Sequence, residues 1–164
     1  LDEPYLYFSI DSFLHMLPER FMATEDSEPS IENEKMLAEM MPGLISAIHY
    51  AIQAFARRGY NIIVDHVLQN QDWLIDCVNL LHKFPVLFVG VQCRLKELDR
   101  RERHREMVKG LARSQYDVVH AHGDYDFVVD SEDSNPLECA QKIKQAMENG
   151  LAGKAFARLK QKFI

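Results

Sequence analysis

Four short apolar runs stand out along the chain, separated by stretches with a helical period. The first is "YLYFSIDSF" (5–13), a strand from Tyr5 to Ile10 that stops at Asp11. "YNIIVDH" (60–66) ends in Asp65, "PVLFVGVQC" (85–93) follows Pro85, and "YDFVVDS" (125–131) ends in Asp130. Unbroken apolar character with β-branched residues predicts strands buried on both faces. Between them, Ser30 can cap a helix with Leu37, Met41, Leu44, Ile48, Ile52 and Phe55 on one face. Pro42-Gly43 predicts a kink or a division into two helices, and Arg58-Gly59 a stop. "NQDWLIDCVNLLHKFP" places Leu74, Cys77, Val78 and Leu81 on a second face. A charged helix over 94–105 and a milder one over 106–119 follow. Pro136 opens a helix with Leu137, Ala140, Ile143 and Met147 inward. The last amphipathic stretch carries Ala152, Phe156, Leu159 and Phe163. Strands alternating with helices define an α/β fold with a parallel sheet and right-handed crossovers.

The polar segment 18–30, "PERFMATEDSEPS", reads as a loop of the kind that binds substrate. A length of 164 residues suits one domain with a full core. The net charge of −6 argues against a nucleic-acid partner. No apolar run is long enough for a bilayer, so no membrane partner is expected. Cys77, Cys93 and Cys139 form no CxxC pair and read as reduced core thiols of a cytoplasmic protein. The chain opens at Leu1 with nothing like a signal sequence, as though it starts inside a longer protein.

Asp11 and Asp65 each fall at the carboxyl end of a predicted parallel strand, the functional edge of an open α/β sheet. A carboxylate there can take a proton from a hydroxyl nucleophile or hold Mg²⁺ through water. The plainer alternative is a helix cap or turn former. "RLKELDRRERHREMVKG" (94–110) is ordinarily a solvated helix with i,i+4 ion pairs such as Glu97 with Arg101. Its sharper reading puts Arg101 and Arg105 on one face, able to close over a polyphosphate. His120 and His122 form an HxH pair that reads as structural, with metal ligation the alternative, and His66 is a weak candidate for touching substrate or metal. Ser9, Ser12 and Ser114 lack a G-x-S-x-G setting.

"FSIDSFLHMLP", "GYNIIVDHVL", "VGVQC", "RRERHREMVKGLARSQYDVVH" and "YDFVVDS…NPLECAQKI", in that order across residues 4–147, resemble the chloramphenicol phosphotransferase-like P-loop kinases. The resemblance implies a nucleoside-kinase-type fold, a five-stranded parallel sheet flanked by helices. It implies transfer of the γ-phosphate of ATP, with Mg²⁺, to a hydroxyl of a small-molecule acceptor. By that resemblance Asp11 is the base on the acceptor hydroxyl and Asp65 the Walker B-like carboxylate near Mg²⁺. Arg101 and Arg105 match lid arginines, Arg103 is an additional cofactor-side arginine, and Met107 stands where the family often has another. Ser12, Phe13 and Met16 lie where acceptor specificity is set.

The family's first strand and its G-x-x-x-x-G-K-[ST] loop have no counterpart here; the only Gly-Lys pair is in "AGKAF" (152–156). The expectation is an N-terminally incomplete kinase-like domain over 1–150, followed by an amphipathic helix over 151–164 that packs on the core or on a partner chain. The chain itself would then be inactive, its sheet either gapped or newly paired between the Tyr60–Val64 and Val86–Val91 strands. Dimerisation could offset that cost. The alternative is a non-catalytic relative that keeps an acceptor pocket without an ATP site, and a third reading changes the acceptor to another metabolite.

Overall fold

The computed structural model describes residues 3–22, 28–104 and 110–163. Two compact units divide the chain, Leu1–Val67 and Leu68–Ile164.

In the first unit, β1 (Leu6–Ser9) leads straight into a short helix α1 (Ile10–Leu14). After a 3₁₀ turn at Glu19–Phe21 come α2 (Ile31–Arg57) and β2 (Ile62–Asp65). The two strands pair in parallel, with Leu6 opposite Ile62 and Ser9 opposite Asp65. Ser30 caps α2 as the sequence predicts, its Oγ accepting from the Asn33 N–H at 3.2 Å. At the other end Gly59 takes a φ of 82°, and the Gly59 and Tyr60 amides close on Ala56 and Phe55 carbonyls. That left-handed turn strongly favours glycine. α2 runs as one helix through Pro42, so the division into two is not seen. Its buried face is Ile45, Ile48, His49 and Ile52, while Phe55 at the C-terminal end of the expected stripe is 39% exposed.

The second unit contains α3 (Gln71–Leu81), β3 (Val89–Gln92), α4 (Leu95–Glu102), α5 (Leu111–Val119), β4 (Phe127–Asp130), α6 (Pro136–Glu148) and α7 (Ala155–Phe163). β3 and β4 pair in parallel, Val89 opposite Phe127 and Gln92 opposite Asp130. Leu74, Cys77, Val78 and Leu81 of α3 are all buried, as their spacing predicts. α7 packs on α3 with Ala155, Phe156 and Leu159 buried, which places the C-terminal stretch on the chain's own core. α6 turns a different face inward from the expected one. Leu137 is 66% exposed and Ala140 is exposed, whereas Cys139 is buried and Ile143 and Met147 are half-buried. A reciprocal capping box between Asn135 and Glu138 fixes the start of this helix and hence its phase.

The α/β class is as expected. Among the described residues each unit holds one two-stranded parallel ladder. In a two-stranded ladder each strand has one backbone edge without a strand partner, and side chains on a face that nothing covers meet water. Tyr7 is 65% exposed, Ile63 46% and Val91 56%, so burial on both faces is not observed.

Docking of α7 depends on two residues. A Cβ on Gly153 would lie 1.6 Å from the Val86 carbonyl oxygen, so the backbone here approaches too closely for any side chain. Asp126 supplies the cap: its Oδ1 accepts from the Lys154 and Ala155 amides at 2.6 and 2.7 Å, and its Oδ2 from the Phe88 amide at 2.9 Å. The Gly-Lys pair of "AGKAF" thus serves the start of a helix.

Candidate functional site

Asp11 does not end the strand. Ser9, with φ −113° and ψ 134°, takes the N-cap position, and Ile10 turns inward and is buried. Asp11 therefore sits in the first turn of α1, just beyond the carboxyl end of β1. A carboxylate is favourable there because the first helical N–H groups are unpaired. Asp11 and Ser12 are exposed and Phe13 is half-buried, stacked on Phe8 at 5.8 Å between centroids. Met16 is 77% exposed.

Asp65 is the last residue of β2, opposite Ser9. Asp11 and Asp65 are thus brought to the same end of one parallel ladder, as the strand pattern anticipates. Tyr7 lies diagonally across the ladder on the same face as Asp65, and its hydroxyl donates to Asp65 Oδ2 at 3.1 Å. The sequence does not disclose this contact, because it depends on the register of two strands far apart in the chain.

His66 follows Asp65 and meets His49 of α2, Nε2 to Nε2, at 2.9 Å. One nitrogen donates and the other accepts, so this contact holds a single proton. Burial first, and the neighbouring His49 second, pull His66 down from the usual histidine value to about 4. An unfolded chain binds that proton near pH 6.5, so between pH 6.5 and about 4 the unfolded state carries more protons. Stability from this group is fully present above pH 6.5 and is lost as pH falls toward 4, by at most about 3 kcal/mol. His120 and His122, both lowered by burial, act in the same direction. Urea unfolding at pH 7.5 and pH 5 is expected to show the loss, and His66→Phe to flatten it; an equal slope in that variant would remove His66 as its source.

On the second unit, the arginine-rich segment is a hairpin of α4 and α5. Glu102 accepts from the Gly110 and Ala112 amides at 2.9 and 2.8 Å and so caps α5 from outside. These bonds hold its carboxyl below the usual range. Asp99 pairs with Arg113 at 2.9 Å. Arg101 is already engaged. Its Nε donates to Glu97 at 2.8 Å, the i,i+4 pair that the plainer reading expects, and its NH2 and NH1 reach the Ser131 carbonyl and Oγ at 2.5 and 3.3 Å. Arg103 ends α4 and is exposed, while Arg105 and Met107 lie outside the described residues.

His120 and His122 have structural contacts. His120 Nδ1 meets the Tyr125 hydroxyl at 2.6 Å, and His122 Nδ1 accepts from the Asp124 amide while its ring stacks on Phe88. No helix among the described residues is long and apolar enough to cross a membrane.

The first unit thus carries two carboxylates at the carboxyl end of its parallel ladder, and the second carries an arginine-bearing pair of helices. Residues 1–148 match the family described as chloramphenicol phosphotransferase-like protein, and the chain belongs to that family. Two curated relatives, from two strains of Mycobacterium tuberculosis and each named "Putative O-phosphotransferase", are 30% identical over 119 residues. The matched region is 70% of this chain and 51% of each relative, so the chain spans about half the length of the curated relatives it matches.

Proposed function

We propose that the protein is an ATP-dependent small-molecule phosphotransferase that moves the γ-phosphate to an acceptor hydroxyl. The observation that carries this reading is the convergence of Asp11 and Asp65 on the carboxyl end of the β1–β2 ladder in a chain of this family. Asp11 accepts the proton of the acceptor hydroxyl as its oxygen bonds to the γ-phosphorus; the bond to the β–γ bridging oxygen breaks and ADP leaves. Asp65 presents carboxylate oxygens of the kind that hold Mg²⁺ through water, with Tyr7 orienting one of them. When bound, the ion would offset negative charge on the phosphates. Ser12, Phe13 and Met16, beside Asp11 on and after α1, would contact the acceptor. Arg101, Arg103 and Arg105 would serve the nucleotide phosphates.

The test is phosphate transfer from ATP to a panel of small hydroxyl compounds, using protein made as these 164 residues and from its complete reading frame. Transfer to any panel member supports the reading; none from either form overturns it. One observation favours a second reading, a non-catalytic acceptor-binding relative. These 164 residues contain no G-x-x-x-x-G-K-[ST] segment to wrap nucleotide phosphates. That reading predicts acceptor binding by calorimetry that ATP leaves unchanged, with no transfer.

A further inference from the structure

Residues three and four positions along a helix both lie beside the first, so one carboxylate can hold two side chains. Arg100 and Arg101 converge in this way on Glu97, a turn earlier. Arg100 grips it as a fork, Nε to Oε2 at 2.7 Å and NH2 to Oε1 at 2.8 Å, and Arg101 Nε shares Oε1 at 2.8 Å. The remaining Arg101 nitrogens hold the Ser131 carbonyl and hydroxyl at the end of β4. Ser131 is itself anchored, its amide and Oγ donating to the Gln92 carbonyl at 2.8 and 3.1 Å. Arg94 adds a second tie to this turn through Glu132 at 2.7 Å. The outcome is two guanidinium groups on one carboxylate, with Arg101 also tied to the β3–β4 ends and Arg100 held by Glu97.

A carboxylate in a guanidinium fork occupies the geometry that two phosphate oxygens would take. We propose that Glu97 is a resident counter-anion for the Arg100–Arg101 pair, which a phosphate of a polyphosphate ligand must displace to reach these arginines. The inference rests on the phosphotransferase reading and adds Arg100 and Glu97 to its phosphate side. Glu97 acts through the arginines and is a positioning residue. While it holds them, the pair is neutralised by one charge and pre-folded into a two-pronged shape. A terminal phosphate brings more charge and a third oxygen, so it can win the exchange, at an affinity set by the competition.

The experiment titrates inorganic tripolyphosphate into the 164-residue protein by calorimetry at low ionic strength, in wild type, Glu97→Gln, Arg100→Gln and the double variant. Glu97→Gln keeps size and helix propensity, removes the charge, and is expected to bind about tenfold tighter than wild type. Arg100→Gln is expected to weaken binding, and the double variant to lose the gain. Equal or weaker binding in Glu97→Gln, with native circular dichroism, overturns the proposal, as does a gain that survives loss of Arg100. The two readings separate cleanly. Tighter tripolyphosphate binding in Glu97→Gln with no ATP transfer to any acceptor leaves this anion site standing and removes the kinase reading; ATP transfer with unaltered tripolyphosphate binding does the reverse.

Discussion

Asp11→Asn is expected to slow phosphate transfer by a factor of ~10²–10⁴ while leaving ATP binding unchanged. Asparagine keeps the shape and polarity of the side chain but cannot take the acceptor's proton. The side chain is exposed and makes no hydrogen bond among the described residues, so the fold has little reason to respond. Steady-state rates with a reactive acceptor, beside nucleotide affinity by calorimetry, separate the two effects. An unchanged rate would remove Asp11 from the chemistry, and a parallel loss of ATP affinity would assign it to binding.

Asp126→Ala is expected to destabilise the second unit by about 2–4 kcal/mol, a fall of about 10–20 °C in midpoint. The Asp126 side chain is only 2% exposed and accepts three backbone N–H bonds, from Phe88, Lys154 and Ala155. Alanine leaves the part-buried Phe88 and Ala155 amides without their acceptor, at about 1–3 kcal/mol for each donor kept from water, while the exposed Lys154 amide can turn to solvent. It also unties the start of α7 from the entry to β3. Arg158, bonded to Asp124 and 3.9 Å from Asp126, would keep part of the attachment. Asp126→Asn retains an acceptor and is expected to lose less. Thermal melts of the three proteins check the order; a shift below about 2 °C for alanine would mean the cap contributes little.

The elements were largely legible because each rests on local signals. Ser30, Gly59 and Pro136 mark helix ends wherever the chain goes, and the α3 spacing names its buried face outright. What could not be read is non-local. The two-ladder pairing joins segments more than thirty residues apart, and the Tyr7–Asp65 contact exists only in one register. Asp11 lies just past the carboxyl end of β1, because the chain turns into α1 at Ile10 with Ser9 at the N-cap position. Leu137 is apolar and at helical spacing, yet α6 presents Cys139 instead, since its cap sets the phase. The same "RLKELDRRE" pattern supports both an ordinary ion pair and a phosphate grip, and Glu97 bonded to Arg101 satisfies the first without deciding the second.

The family match stops at residue 148, but the folded unit does not. Since α7 covers α3 and is capped by Asp126, the borders of shared ancestry and of cooperative folding fall in different places. A chain trimmed to the matched residues would put part of the greasy flank of α3 in water and leave the Asp126 carboxylate with two fewer donors. Such a trimmed protein is expected to self-associate and sediment as aggregates at concentrations where the 164-residue chain remains dispersed. The sixteen residues past the matched region would then keep the chain dispersed by covering α3, a duty separate from any catalytic one.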